Sequence, residues 1–306
     1  MQQITLRPCP PFVFALPAAV FSAGDPYIRS FRRGVFRQLL DTGTGLVLAD
    51  IRSTGTYDTP ELSLSLSSDY GEGRANPQTA AEQVAAIFST NDDLIPFYRA
   101  VAGDPVLSVL TARLRGVRVP VTPTVFEALT DSIIEQQFSL AAARSIKNRL
   151  IRATGKTLSL DNSVYYCYPG PSVLAKTTET TFRSCGLTIR KGEYIRDISR
   201  QVVAGELDIE GFRDYMDTEQ IIDDLVKIRG IGRWTAELTI LRGLHRPDAF
   251  PADDVGIRRF ISEFYLSGRK ITAAEARIFS ERWGAWKGFA AYYLEVADHL
   301  GIDPAG

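Results

Sequence analysis

The sequence predicts an α+β protein in which an antiparallel β-sheet domain, residues 1–75, precedes an all-α domain, residues 76–306. Leu and Ser alternate strictly over Glu61–Ser67, which predicts a strand with one buried face, because side chains alternate across a strand. From residue 79 to residue 300 apolar residues recur about every 3.6 positions between short Gly and Pro breaks, which predicts consecutive amphipathic helices. The turn-forming run 70–77 separates the two patterns and marks the predicted boundary.

The N-terminal part carries further strand signals. The segments Val35–Leu40 and Leu46–Ile51 flank the turn-forming run Asp41-Thr42-Gly43-Thr44-Gly45, which predicts an antiparallel hairpin. In the alternating strand the serines are expected to face solvent and the leucines to face the core. The core-facing set is Leu62, Leu64 and Leu66.

Composition excludes several functional classes. The 306 residues include 35 basic and 36 acidic side chains, for a net charge of −1, so bulk positive charge does not hold a partner here. Three cysteines without a Cys-x-x-Cys pair, and two histidines, argue against a disulfide framework, a zinc site and a Ser-His-Asp triad. The apolar run Pro8–Phe21 contains four prolines and no basic leader, so neither a signal peptide nor a membrane span is expected. A reducing cytoplasmic compartment, no organic cofactor and no membrane contact are the expectations.

The most specific local signal is a helical run that Gly230-Ile231-Gly232 interrupts before a second helix begins at Arg233. This is a helix-hairpin-helix pattern. Two glycines permit a tight turn with exposed backbone amides, and the next helix adds its positive N-terminal end. Gly230 and Gly232 are therefore predicted to bind a DNA phosphate, and Arg229 beside them supplies a cation within reach of it. A Gly-x-Gly between helices is also common as a plain turn.

A second signal lies about twenty residues further on. The loop Phe250-Pro251-Ala252-Asp253-Asp254 delivers two adjacent carboxylates to the start of a helix. An Asp in this position is most often an N-cap that accepts hydrogen bonds from free helix amides. The conjunction of the Gly-x-Gly hairpin with this loop is much rarer than either pattern alone.

Together these two segments resemble the helix-hairpin-helix (HhH-GPD) DNA glycosylases, in particular the 3-methyladenine DNA glycosylase II (AlkA) type. Three further stretches resemble the same family, and the resemblance covers roughly residues 93–300. They are Glu135–Leu140, Tyr168–Ala175 and Cys185–Ile195. The resemblance implies a base excision repair enzyme that acts as a monomer on double-stranded DNA containing damaged bases, at the nucleoid of a prokaryote or in the nucleus of a eukaryote.

The resemblance also assigns site residues. Asp254 takes the position of the essential carboxylate, which stabilises positive charge on the deoxyribose or activates water. Trp234 stands where bifunctional relatives have the lysine that forms a Schiff base, so strand cleavage through an imine is not expected. Trp234 and Trp286 are expected to stack on a flipped, electron-poor base. Core packing is the alternative for both tryptophans.

Other contacts to DNA are predicted from the same resemblance and, for two arginines, from their spacing along a helix. Gln137 occupies the position of the residue that fills the gap left by the flipped base, with a solvated polar face as the alternative. Arg144 and Arg152 lie on one face of a basic helix and are predicted to bind phosphates, although charged runs are usually plain solvated faces. Hairpin carbonyls of the family often hold a monovalent cation, Na⁺ or K⁺. Here they belong to Val226, Ile228 and Ile231.

The leading hypothesis is a monofunctional DNA glycosylase that flips an alkylated purine of the 3-methyladenine type and hydrolyses its N-glycosidic bond. A cationic base is already a good leaving group, so one carboxylate and aromatic walls suffice. A non-catalytic helix-hairpin-helix clamp is the first alternative. An oxidised-purine glycosylase of the same fold is the second, and it would require another lysine, such as Lys227 or Lys287.

Overall fold

The computed structural model describes residues 2–22, 24–68 and 76–303, and it begins with a five-stranded antiparallel sheet of order β1-β5-β4-β3-β2. The helical region follows, so the predicted α+β class is confirmed. The strands are β1 (Gln2–Leu6), β2 (Arg29–Arg32), β3 (Val35–Asp41), β4 (Leu46–Ser53) and β5 (Leu62–Ser67).

The alternation in β5 has the predicted consequence. Leu62 and Leu64 are fully buried, whereas the intervening serines are half-buried on the other face. A short helix that the sequence did not predict, α1 (Ala15–Phe21), lies before β2. The helix α2 (Pro77–Ile87), capped by Asn76, packs on the sheet and shares its apolar core.

The predicted domain boundary between residues 75 and 76 adjoins residues 69–75, which lie outside the described residues, and it stays a prediction. Because α2 contributes side chains to the apolar core of the sheet, the sheet and the residues up to Phe88 pack together, and they are called the N-terminal layer below. The sheet and the helix after it therefore form one apolar unit.

The predicted helical segments after α2 are observed as helices, several of them with Ser or Thr N-caps. In the part of the chain that the structure describes, no helix has both the length and the hydropathy that crossing a bilayer requires. The helices are α3 (Ile95–Ala100), α4 (Leu107–Arg113), α5 (Val125–Glu135), α6 (Leu140–Thr154), α7 (Pro171–Leu174), α8 (Glu179–Ser184), α9 (Ile189–Ala204), α10 (Thr218–Leu225), α11 (Arg233–Thr239), α12 (Val255–Tyr265), α13 (Ala273–Ser280) and α14 (Lys287–Leu300).

A β-hairpin interrupts the helices, which the all-α expectation for this region did not include. Strands β6 (Thr157–Leu160) and β7 (Ser163–Tyr166) are joined by Asp161 and Asn162, whose φ angles are +49° and +60°. Two residues with positive φ are typical of the tight turns that suit hairpins. Leu158 and Tyr165 of this hairpin pack on Leu39 and Leu48 of the large sheet, so the hairpin connects the helical region to the N-terminal layer.

The helices pack around two apolar cores. One core contains residues between 94 and 119 together with residues between 250 and 297. The other contains residues between 125 and 249. The chain passes from the second core to the first between Ala249 and Phe250, and the loop that carries Asp254 therefore begins at the junction of the two.

Candidate active site

The hairpin between α10 and α11 depends on one of its two glycines for its geometry. Gly230 has a φ of +92°, a conformation that other residues rarely adopt. A Cβ atom at Gly230 would lie 2.4 Å from the ring of Tyr194. Gly232 is the N-cap of α11 with a φ of −96°, and a Cβ atom there would meet nothing within 4 Å.

We expect Gly230→Ala to lower the free energy of unfolding by about 1–3 kcal/mol, because it combines a strained φ with a clash against Tyr194. Gly232→Ala is the matched control and should cost less, about 0.5–1 kcal/mol, because its only penalty is that alanine is a poorer N-cap than glycine. Urea unfolding of both variants measures the difference. Equal stability of the two variants would contradict the assigned turn geometry.

Asp254 has both carboxylate oxygens engaged. Its Oδ1 accepts hydrogen bonds from the backbone N–H groups of Gly256, at 2.8 Å, and Ile257, at 3.1 Å, and so caps α12. Its Oδ2 accepts a hydrogen bond from Nε1 of Trp234 at 3.2 Å. The N-cap alternative is thus correct for one oxygen, while the other oxygen contacts the predicted aromatic residue. Asp253, by contrast, is exposed, and its nearest charge is Arg277 at 3.9 Å.

The structure brings Trp234 and Asp254 together from the two cores. Trp234 lies on α11 and is half-buried, and Asp254 starts α12. Trp286 is also half-buried and packs on Phe97 and Phe289, each at a centroid distance of 5.7 Å. Its role in a base pocket stays a prediction. Trp283 is buried, as expected for a core residue.

The predicted wedge residue lies on a tight turn after α5. Gln137 is exposed and has a φ of +57°, an uncommon conformation for a residue other than glycine. The neighbouring Gln136 donates hydrogen bonds through Nε2 to the carbonyl oxygen of Gly230 and to Oγ1 of Thr235, both at 3.0 Å. The turn that presents Gln137 is therefore hydrogen-bonded directly to the hairpin between α10 and α11. Sequence reasoning did not identify Gln136 as the connecting residue.

Lys191 of α9 supports the same turn from the other side. Its Nζ donates hydrogen bonds to the carbonyl oxygens of Ile134, at 2.9 Å, and of Gln136, and it lies 3.8 Å from the centroid of the Phe138 ring. The side chain is buried, and no carboxylate pairs with it among the described residues. Burial lowers the pKa of Lys191 to about 8. No local signal distinguishes this lysine in the sequence, since its partners lie more than fifty residues away.

The pKa of Lys191 predicts a stability that depends on pH. Between about pH 8 and its ordinary value of 10.5, the unfolded chain retains a proton that the folded chain has released, so stability rises with pH. We expect the stability of the wild type to gain up to about 1.4 kcal/mol per pH unit in this range relative to Lys191→Met. Urea unfolding of both proteins at pH 7.5 and 9.5 measures this difference. A difference that is independent of pH would contradict it.

The predicted phosphate-binding arginines differ in their present partners. Arg144 is exposed and forms no ion pair with any described residue. Arg152 pairs with Asp25 of the N-terminal layer and lies over the ring of Tyr166 at 4.8 Å. Arg229 is 68% exposed and contacts two carboxylates, at 3.4 and 3.6 Å. If Arg152 or Arg229 binds a phosphate, it exchanges a carboxylate partner for it, whereas Arg144 has no ion pair to break.

The hairpin carbonyls are compatible with the expected monovalent cation. None of the hydrogen bonds formed by the described residues uses the carbonyl oxygen of Val226 or Ile231. The carbonyl oxygen of Ile228 accepts one bond, from the N–H of Ile231 at 3.0 Å, and retains a second lone pair. Backbone carbonyls with free lone pairs are suitable ligands for such a cation. Binding itself stays a prediction.

Comparison with known proteins places the chain in a family. Residues 130–285 match the model of the HhH-GPD superfamily base excision DNA repair protein. A DNA-3-methyladenine glycosylase of Bacillus subtilis (strain 168) is 36% identical over 209 residues, 68% of each chain. The solved 3-methyladenine DNA-glycosylase of Archaeoglobus fulgidus superposes with a TM-score of 0.83 at 25% identity, covering 98% of this chain and 99% of that one.

A more distant structure shares the fold alone. The 8-oxoguanine glycosylase/lyase of Clostridium acetobutylicum, solved with double-stranded DNA, has a TM-score of 0.75 at 18% identity and covers 99% of both chains. The resemblance drawn from the hairpin and the Asp254 loop is confirmed by the family match. The chain belongs to the HhH-GPD superfamily of base excision DNA repair proteins.

Proposed function

We propose that this protein is a monofunctional DNA glycosylase that flips a cationic alkylated purine out of duplex DNA and hydrolyses its N-glycosidic bond. The observation that carries the proposal is the hydrogen bond between Trp234 and Asp254, which joins an aromatic surface to the carboxylate oxygen that does not cap α12. The names of the relatives, 3-methyladenine DNA glycosylases, support the substrate class. The solved neighbour with double-stranded DNA supports DNA as the partner.

The proposed chemistry needs few groups. As the bond between C1′ and the base breaks, the base leaves with the electron pair and positive charge develops on the deoxyribose. Asp254, oriented by its three N–H donors, stabilises that charge. A water molecule then adds to C1′ and gives up one proton to solvent, which leaves a hydroxyl on the deoxyribose. A positively charged methylated base leaves as a neutral molecule, so no general acid is required. The π face of Trp234 attracts the cationic base, and the ring of Trp286 is proposed as a second such face.

DNA is held in this proposal mainly by backbone groups. The amides of the hairpin and the N-terminal end of α11 bind one phosphate, and Gly232, where a Cβ atom would meet nothing within 4 Å, leaves room for its approach. Gln137 fills the space of the flipped nucleotide and still hydrogen-bonds the orphaned base. A monovalent cation held by Val226, Ile228 and Ile231 would add positive charge near the same phosphate.

Strand cleavage through a Schiff base is not part of the proposal. An indole at position 234 cannot form an imine. The two lysines considered as replacements are ion-paired, Lys227 with Asp224 at 2.7 Å and Lys287 with Glu281 at 2.8 Å. The hydrogen bond to Asp224 and the charge of that carboxylate raise the pKa of Lys227 and so oppose the neutral amine that the lyase reaction requires. These pairs disfavour the oxidised-purine lyase alternative.

The test is incubation of the purified protein with methylated duplex DNA, followed by chromatography of free bases and by strand-nicking assays before and after alkali. We expect release of methylated purines, with nicks that appear only after alkali. Nicks that form without alkali, together with a covalent protein–DNA complex that borohydride traps, would contradict the monofunctional assignment. Binding without release of any base from methylated or 8-oxoguanine DNA would favour the non-catalytic clamp.

A further inference from the structure

A groove of about 600 Å³ lies on the outer face of the N-terminal sheet, and none of its lining residues belongs to the candidate active site. Four arginines and two tyrosines dominate its lining, and no acidic residue lines it. They are Arg32, Arg33, Arg37, Arg52, Tyr27 and Tyr165. The chain as a whole has a net charge of −1, so this concentration of positive charge is local.

The strand register brings these side chains together. Arg32 of β2 is opposite Val35 of β3, and Val35 is opposite Arg52 of β4. Directly paired residues point to the same face of a sheet, so Arg32 and Arg52 flank one side chain. Arg37 lies two residues further along the same face, and Arg33 follows Arg32 in the turn.

Three of the four guanidinium groups are available to a ligand. Arg37 is held by both carboxylate oxygens of Asp50, at 2.6 Å each, and donates to the hydroxyl of Tyr165 at 2.9 Å. Arg32, Arg33 and Arg52 are exposed and form no ion pair with any residue between 2 and 303 that the structure describes. Unpaired like charges repel each other, and an anion bound between them relieves that repulsion.

The groove is continuous with the basic face of α6. A second groove, of about 470 Å³, shares Pro26 and Tyr27 with the first. Arg144 and Arg152 line it together with Asp25, which pairs with Arg152 and leaves Arg144 as the unpaired charge. The resulting band of positive charge starts beside the wedge turn at Gln137 and runs along the 15 residues of α6 before it reaches the sheet. At 1.5 Å per residue, α6 alone spans roughly 22 Å, or about 6–7 base pairs of rise.

We propose that this band, and the arginine groove at its far end in particular, binds phosphates of the DNA that flanks the damaged base, about 6–10 base pairs from it. The inference rests on the proposed function for the direction of the duplex. Arginine forks suit successive phosphate oxygens, and the exposed, elongated shape of the band suits a polymer better than a small anion.

The test compares affinity on duplexes with short and long flanks. Each duplex carries a central tetrahydrofuran abasic analogue with either about 5 or about 15 base pairs on each side, and binding is measured across a NaCl series. We expect the wild type to bind the long duplex more tightly and with a steeper salt dependence than the short one. In Arg32→Ala/Arg52→Ala, the slope of log K against log[salt] on the long duplex should fall by about 2, at about 0.9 per phosphate contact, and the short duplex should show no change.

A matched pair of exposed arginines outside the band, which like Arg32 and Arg52 form no ion pair with any described residue, is changed together as Arg99→Ala/Arg115→Ala and controls for loss of two charges. Equal slopes for the groove variant and the wild type on the long duplex would overturn the proposal, as would an equal loss in the control pair. Release of methylated purine from the short duplex is measured separately and should be the same in the groove variant and the wild type. If the wild type releases no base, the proposed reaction is refuted. The slopes of log K against log[salt] still show whether the groove binds DNA phosphates.

Discussion

Asp254→Asn is expected to lower the rate of base release by about 10²-fold or more, or about 3 kcal/mol of transition-state stabilisation. The carboxylate edge that Trp234 orients is the only part of this residue that the N-cap does not occupy. Asparagine cannot carry the negative charge that opposes the cation developing on the deoxyribose. The loss should therefore appear in the chemical step.

The same substitution should leave the fold intact. Asparagine is as good an N-cap as aspartate, so its side-chain oxygen can still accept from the N–H groups of Gly256 and Ile257. The amide nitrogen would then face the indole N–H of Trp234, and that single hydrogen bond is lost. Stability is expected to change by no more than about 1 kcal/mol.

Asp253→Asn is the matched control, because it removes a carboxylate one residue away that is 55% exposed and 3.9 Å from its nearest cation. Single-turnover release of methylated purine from duplex DNA measures both variants, with urea unfolding as the test of folding. The assignment holds if Asp254→Asn alone loses activity at wild-type stability. Near-normal release by Asp254→Asn, or an equal loss in Asp253→Asn, would refute it.

Local backbone constraints made much of this molecule predictable. The Leu and Ser alternation of β5 follows from side-chain geometry in a strand, and the hairpin depends on the φ of Gly230 alone. Such signals involve neighbouring residues and can therefore be recognised in a single sequence. The hairpin β6–β7 could also have been predicted locally, since Asp161-Asn162 between two short segments is a tight-turn signal. The helical patterns on both sides favoured an all-α interpretation instead.

Contacts between distant segments were not predictable in the same way. Gln136 reaches Gly230 over 94 residues, and Arg152 pairs with Asp25 over 127. Neither residue type nor local pattern indicates these partners, because they depend on how the helical cores and the sheet pack together. The prediction that Arg152 adds positive charge to a DNA-binding face therefore lacked the carboxylate of Asp25, which offsets that charge.

A buried ion pair is another contact between distant segments, and its loss is the second change that we expect to have a large effect. Arg29 of β2 pairs with Glu127 of α5, and the two side chains are 9% and 2% exposed. Burial raises the pKa of Glu127, while the charge of Arg29 opposes that rise. Arg29 also lies 4.2 Å from the centroid of the Phe21 ring. This pair is a charged link between the sheet and the helical region.

Arg29→Met is expected to lower the free energy of unfolding by about 3–5 kcal/mol at pH 8, because it leaves the Glu127 carboxylate buried without its cation. Without Arg29 the folded-state pKa of Glu127 rises further above its unfolded value, so the variant gains stability relative to the wild type as pH falls. Urea unfolding at pH 8 and pH 5 should show the deficit narrowing at pH 5.

Adding Glu127→Gln to Arg29→Met removes the uncompensated charge and should recover a large part of the loss at pH 8. Urea unfolding of the two single variants, the double variant and the wild type gives the coupling energy between the two side chains. Strictly additive losses in this cycle, or a deficit in Arg29→Met that does not change between pH 8 and pH 5, would show that packing of Arg29 rather than its charge joins the two layers.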